Sequence, residues 1–255
     1  MVIMNEKFYI QNIIETREIP KDLSIGRLIL LLSKYYYSPD MAPDHFVKTV
    51  QDEIHIFDLD IVQYQDYKWE RKIGSYYRQF SEGTVDCTLR EIDYIPLFDS
   101  EIAKIESCET DREKKLLCTM YVMARFHNMD GWVNTDYSSL FKAANISVTT
   151  NEKIKLIRKL VSYGVVTMSK KIDNLNLHVD LEQDTSSPEA LKISTLSNIG
   201  SQYLVATKPG YKLCERCSKL VKIKGPNTKY CSKCGIAVET DNNIRRIKKH
   251  RETVK

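Results

Sequence analysis

Four of the seven cysteines lie in one stretch, YKLCERCSKLVKIKGPNTKYCSKCG, residues 211–235. They form two pairs, Cys214-x-x-Cys217 and Cys231-x-x-Cys234, separated by thirteen residues. A Cys-x-x-Cys turn brings two sulfurs to one ion, and two such knuckles complete a tetrahedron of thiolates, the coordination Zn²⁺ prefers. Four sulfurs leave no position open for water or substrate, so the expected ion is a single structural Zn²⁺. The competing chemistry is thiol–disulfide exchange. That needs one pair at a helix N-terminus within a βαβ setting, and the sequence around neither pair reads that way. Cys87, Cys108 and Cys118 are scattered and read as ordinary buried or partly buried thiols.

The elements that must hold these ligands are short. Between the knuckles, VKIKGPNTKY reads as a strand and a Gly-Pro-Asn turn leading back to the second pair, the layout of a zinc ribbon over residues 205–243. Gly235 follows the last ligand, where a knuckle turn favours positive φ. So short a segment has no hydrophobic core, so metal binding would supply its folding energy. A basic tail follows, IRRIKKHRETVK, residues 244–255. Its Arg245, Arg246, Lys248, Lys249 and Arg251 suit a polyanion, as a frayed helix or an arm ordered on binding.

Charge is distributed unevenly. The net +4 divides into −9 over residues 1–111, +5 over 112–180, −2 over 181–204 and +10 over 205–255. A polyanion partner is therefore expected for the back of the chain only. Residues 112–181 have a recognisable order of periodicities. Arg112–Phe126 reads as a helix with Leu116, Met120 and Met123 on one face, GWVNTDY as a short extended piece, and Asp136–Ala144 as a second helix. After the turn ISVTTNEK, with Thr149 or Thr150 as cap and Glu152 in the first turn, a third helix runs over Asn151–Tyr163 and stops at Gly164. VVTMSKKIDNLNLHVDL then alternates as a hairpin turning at about Lys171–Asn174.

Helix, helix, turn, helix, hairpin is the order of a winged helix-turn-helix, whose helix after the turn enters the DNA major groove. At 100° per residue, Ile154, Ile157, Leu160 and Val161 form the expected buried stripe of that helix. Asn151, Lys155, Arg158 and Ser162 form the opposite face, with Lys159 on its flank and Lys170 and Lys171 at the wing tip. Asn and Arg pair with adenine and guanine edges, and Lys neutralises phosphate.

The front of the chain reads as an acidic helical domain, residues 1–90, with helices over Ser24–Tyr37, Pro43–Ile56 and Tyr67–Phe80 and its aromatic residues in the core. Asp22 or Ser24 is the cap of the first. Residues 91–111 read as a connector with a turn at Pro96 and a short helix capped by Asp99, and 112–204 as the winged-helix-like domain. The fold class expected is mainly α with small β elements. No nucleotide-binding, serine-hydrolase or metalloprotease motif occurs. The five histidines are unpaired, and Asp58 and Asp60 sit among many other acids. A non-enzyme is expected. No apolar run approaches the roughly 20 residues of a membrane span. MVIMNEKFYI does not read as a secretion signal, so a reducing cytoplasm is the expected setting.

CERCSKLVKIKGPNTKYCSKCG with the trailing IRRIKKHR resembles the C-terminal zinc ribbon and Arg/Lys helix of many small proteins of bacteriophages and mobile elements from low-GC Gram-positive bacteria. IPKDLSIGRLILLLSKYYY and WVNTDYSSLFKAANI resemble other segments of that uncharacterised group. The resemblance implies a phage setting in the cytoplasm of a bacterial host cell and DNA binding in replication initiation or transcriptional regulation, with double-stranded DNA as partner. The alternative is a protein-binding inhibitor or adaptor aimed at a host complex such as a defence system, its acidic front mimicking nucleic acid.

Overall fold

The computed structural model describes residues 3–20, 23–57, 65–127, 130–169, 176–183, 188–217 and 219–253, with side chains to residue 246. It falls into two units, residues 1–93 and 94–255. The first carries helices Glu6–Thr16 (α1), Ile25–Tyr36 (α2), Pro43–His55 (α3) and Asp66–Ser81 (α4). Helix α2 is the apolar run seen in the sequence. Ser24 caps it, its hydroxyl accepting from the Arg27 N–H, while Asp22 lies outside the described residues, as do Asp58 and Asp60. Leu28, Ile29, Leu31 and Leu32 of α2 are fully buried with Ile10 and Ile13 of α1, Phe46, Val50 and Ile54 of α3, and Ile73 of α4. The Tyr37 ring meets Phe46, Tyr77 and Phe80 edge-on, so these aromatics are core.

Helix α1 was not among the expected helices. Its cap is Asn5, whose side chain accepts from the Phe8 N–H, and it ends on Arg17 at φ 60°, a left-handed residue that is not glycine. The buried Glu6 carboxylate in its first turn receives Arg27 Nη2 at 2.5 Å, Lys34 Nζ at 3.2 Å and the Arg90 N–H at 3.3 Å.

The second unit opens with a strand, Ile95–Phe98 (β1), and a helix, Asp99–Glu106 (α5). This corrects the expected connector: Pro96 lies inside β1 rather than in a turn, and Phe98, not Asp99, is the N-cap. Helix Asp111–His127 (α6) follows, then strand Trp132–Val133 (β2), helices Tyr137–Ala143 (α7) and Thr150–Ser162 (α8), and strands Thr167–Met168 (β3), Leu177–His178 (β4) and Glu189–Ile193 (β5). Helix Ile199–Thr207 (α9), strands Tyr211–Leu213 (β6) and Leu220–Lys222 (β7), and helix Ser232–Thr253 (α10) complete it.

β1 pairs antiparallel with β5, Pro96 opposite Lys192. Proline is tolerated there because both strands of a two-stranded sheet are edges. β2, β4 and β3 form a second antiparallel sheet in the order β2-β4-β3, and β6 pairs with β7 in a third. The hairpin turn at 171–174 and Lys170 and Lys171 lie outside the described residues.

The expected single buried face of α6 is too narrow: residues 116–124, together with Glu113 and Phe126, are all buried. Elements α5, α7, α8, α9, β1 and β2 pack around it. Helix α9 comes so close that a Cβ on Gly200 would stand 2.5 Å from the Ala144 carbonyl oxygen and 2.7 Å from Lys115 Cβ. Among the described residues, no helix is long and apolar enough to cross a membrane.

One carboxylate ties α5, α6 and the segment before β5. Glu101, fully buried, accepts from Arg125 Nη2 at 2.5 Å, the Glu182 N–H at 3.0 Å and the Phe98 N–H at 3.1 Å. Removing one member of a buried pair strands the other charge. Glu101→Ala is therefore expected to lower the stability of this unit by about 3–5 kcal/mol in urea unfolding. The double variant Glu101→Leu/Arg125→Met is expected to lose less than Glu101→Ala alone.

Candidate metal centre and nucleic-acid interface

Strands β6 and β7 form a hairpin with the first cysteine pair in its turn. Leu213 pairs with Leu220, and the Cys214 N–H reaches the Lys219 carbonyl at 2.8 Å. The second pair corrects the sequence expectation. It opens α10, with Cys231 just before the helix and Cys234 in its first turn, so the module is a hairpin followed by a helix. Gly235 is helical, without the positive φ expected of it, and its N–H donates to the Cys231 carbonyl at 2.8 Å. The expectation that neither pair stands at a helix N-terminus fails for Cys231 and Cys234.

Disulfide exchange is nonetheless the poorer description, because all four sulfurs converge within 4.8 Å of one another. Cys217 Sγ and Cys231 Sγ are 3.7 Å apart. That matches the edge of about 3.8 Å of a sulfur tetrahedron around an ion at about 2.3 Å. Cys214, Cys217, Cys231 and Cys234 can therefore hold one metal ion. Cys214 is buried, which pushes its thiol up, but N–H groups of Cys231, Arg216 and Cys217 aimed at the sulfur outweigh this and bring it down to about 6. The Cys234 N–H and its neighbours lower Cys231 in the same way. Cys234 goes the other way: its hydrogen bonds to the sulfurs of Cys217, Cys231 and Cys214 push it up to about 12, as for a proton held among crowded thiolates that a bound cation would displace. The other cysteines differ: burial raises Cys108 to about 11 and raises Cys118 further, leaving inert thiols.

Helix α8 is held by its first turn and by its stop. Thr149 and Glu152 form a reciprocal capping box, and Gly164 ends the helix at φ 71° with its N–H on the Val161 carbonyl. Ile157 and Leu160 are buried, but Ile154 is 39% exposed, contrary to the expected stripe. The buried face is centred between Ile157 and Leu160, and Ile154 lies about 90° from that centre at 100° per residue. Asn151, Lys155, Arg158 and Ser162 are all exposed on the opposite side.

Lys159 is placed differently from these four. Its ammonium lies 2.8 Å from a Glu109 oxygen and 2.9 Å from a Glu113 oxygen, so it is committed to the base of α6. Sequence reading did not single out these carboxylates, although Glu113 sits in the first turn of the helix-forming DREKKLL. Arg245 and Arg246 are exposed on α10, and the backbone helix runs on through Lys248, Lys249 and Arg251, whose side chains lie outside the description. The segment expected as a frayed helix or an arm is thus helical through residue 253 and continuous with the second cysteine pair.

Comparison with protein-family models, with curated proteins and with solved structures finds no match to this chain.

Burial alone would raise Glu106 and Glu113. Hydrogen bonds from Lys114 and Tyr203 to the first, and from Lys159 and Thr110 to the second, hold both below the usual carboxylate range. In the unfolded chain such groups titrate at about 4.3. Their stabilisation is thus complete above that pH and is lost as pH falls toward the lower folded values. The melting temperature is expected to be level from about pH 8 to 6 and to fall below about pH 4.5. Lys159→Met is expected to make that fall shallower in a pH series of thermal melts.

Proposed function

We propose that this chain is a DNA-binding protein in which α6 to β4 form a winged helix-turn-helix and the cysteine module holds one structural zinc. The observation that carries the reading is α8: Asn151, Lys155, Arg158 and Ser162 point outward, opposite Ile157 and Leu160. Helix, strand, two helices, hairpin, with strand order β2-β4-β3, supports it. So does the +10 charge of residues 205–255, carried partly by a helix that starts at the metal ligands. Arg158 and Asn151 read base edges in the major groove, Lys155 meets phosphate, and Arg245 and Arg246 with the rest of α10 hold the backbone nearby. Four thiolates in a tetrahedral arrangement favour zinc, as in a zinc ribbon, though here the second knuckle carries a helix. The phage or mobile-element setting, with a role in replication initiation or transcriptional regulation in a bacterial cytoplasm, rests on the resemblance of the quoted segments.

A second reading is a protein-binding inhibitor or adaptor directed at a host complex. It is favoured by Ile154, an aliphatic side chain left exposed on α8, and by the acidic front of the chain.

Elemental analysis of the purified protein is expected to give about one zinc per chain, lowered by Cys231→Ser. Chelation is expected to remove amide protection from residues 211–246 while α6 keeps its own. A zinc-free chain with that segment still protected contradicts the assignment.

Lys155→Glu with Arg158→Glu is expected to abolish sequence-specific duplex binding without lowering thermal stability. Arg158→Ala alone is expected to cost about ten- to hundred-fold at the cognate site. Deleting residues 244–255 is expected to weaken binding to all sequences alike and to flatten its salt dependence. If the protein binds no duplex even at about 50 mM salt, the protein-binding reading takes its place.

A further inference from the structure

Helix α4 contradicts the charge of the unit it belongs to. Residues 1–93 hold 11 Lys and Arg against 16 Asp and Glu. Four of those cations, Lys68, Arg71, Lys72 and Arg78, are exposed on α4. At 100° per residue they share one stripe with Ser75 and Gln79, opposite the buried Ile73 and Phe80. No carboxylate falls on that stripe between Lys68 and Arg78. Asp66 and Glu70 lie on the opposite side of the helix, and Glu82 follows its end. Among the described residues, no ion pair engages any of the four cations. Lys68 and Lys72 stand over the Trp69 and Tyr76 rings, 5.5 and 4.9 Å from their centroids.

Beside the stripe stands an aromatic side chain that the core does not use. Tyr67 is 71% exposed, and it lines a groove of about 360 Å³ with Lys68, Arg71, Lys72 and Ser75. Cations that follow a backbone next to an open aromatic face are the combination that binds single-stranded nucleic acid, because every base offers a π-face. A lipid surface asks for the opposite arrangement, an amphipathic helix with its apolar face turned outward. The apolar face of α4 is occupied by the core.

We propose that this stripe docks single-stranded DNA, with phosphates along Lys68, Arg71, Lys72 and Arg78 and a base stacked on Tyr67. The choice of DNA rests on the reading of α8 above; the groove and its charge do not. A helix rises about 1.5 Å per residue, so Lys68 to Arg78 offers about 15 Å of track.

The test is fluorescence anisotropy of the full chain with a labelled thymidine strand of about 15 nucleotides, and separately with a labelled duplex. Lys68→Glu/Arg71→Glu/Lys72→Glu is expected to lower strand affinity at least about ten-fold and to reduce the log–log salt slope by about 2. Duplex affinity and melting temperature are expected to stay unchanged. Tyr67→Ala is expected to weaken strand binding about ten-fold, and Tyr67→Phe to restore it. Should the charge-reversed protein fail to fold, the Lys68→Gln/Arg71→Gln/Lys72→Gln variant makes the same comparison.

Unchanged strand affinity in the α4 variants overturns the proposal. So does a loss of binding to phosphatidylserine vesicles in place of strand binding. The α8 variant Lys155→Glu/Arg158→Glu separates the two sites. Duplex binding lost with Tyr67-dependent strand binding intact supports both readings. A protein that binds strands through Tyr67 but no duplex at all leaves α4 standing and removes the α8 reading.

Discussion

Helix α6 has no solvent face, and a cylinder buried on every side has to be enclosed by other elements. Its sequence carries the consequence: LLCTMYVMA has no charge, and of its two hydroxyl groups that of Thr119 donates to the Lys115 carbonyl one turn back at 2.8 Å. The charges are displaced to the ends and the periphery, where most find a partner on a surrounding element. Glu101 meets Arg125, Glu106 meets Lys114 and Tyr203, Asp111 meets Lys208, and Glu113 meets Lys159. Apolar area supplies most of the free energy here, but it is non-directional. The ion pairs add direction, because a carboxylate with several donors accepts few geometries. For α8 this decides which residues face outward. Ile157 and Leu160 attach one side of the helix, and Lys159, drawn to Glu109 and Glu113, fixes its rotation. Arg158, Lys155 and Asn151 then have no direction left except outward.

The metal module depends on the same helix less directly. Lys208, between α9 and β6, pairs with Asp111 at the start of α6, and Cys214 is the one buried ligand of the four. An ion held by the four sulfurs would join the β6–β7 hairpin to the first turn of α10. Most of the cations of α10 lie far beyond that turn, on a helix that has no core of its own. Most helical stability comes from packing and nucleation is the costly step, so what fixes the first turn decides how much of the rest persists.

What was legible in the sequence was local. Cysteine spacing, the Thr149–Glu152 capping box, the glycine stop at 164 and the apolar stripe of α2 are each decided within a few residues. What was not legible depended on partners distant in the chain. Ile95–Phe98 reads as a loop around a proline until Glu189–Ile193, more than ninety residues on, supplies the strand that pairs with it. The burial of α6 all round exceeds any one-sided periodicity, because the second and third faces are covered by elements not yet folded when the pattern is read. Ile154 reads as core by hydrophobicity, although the position of the stripe is set by which face packs on α6. Gly235 suggested a turn, yet the helix dipole and the Cys231 carbonyl hold it in α10.

Summing charge along the chain has a related limit. The total for residues 1–93 is acidic, and that total says nothing about which side of α4 a partner meets. At physiological ionic strength a surface charge is felt over about 8 Å, less than the length of one helix. A phosphate at the outward stripe of α4 therefore experiences Lys68, Arg71 and Lys72, while Glu6 and Glu53 are engaged elsewhere by Arg27, Lys34 and Arg17. The same holds for α8. Glu152 is spent in the capping box, and Lys159 is neutralised by Glu109 and Glu113, so the face left to a partner is more uniformly basic than the helix as a whole. Internal pairing removes charges from the reckoning on α8 and on the helices packed around α4, and the unpaired remainder decides which polyanion each surface can meet.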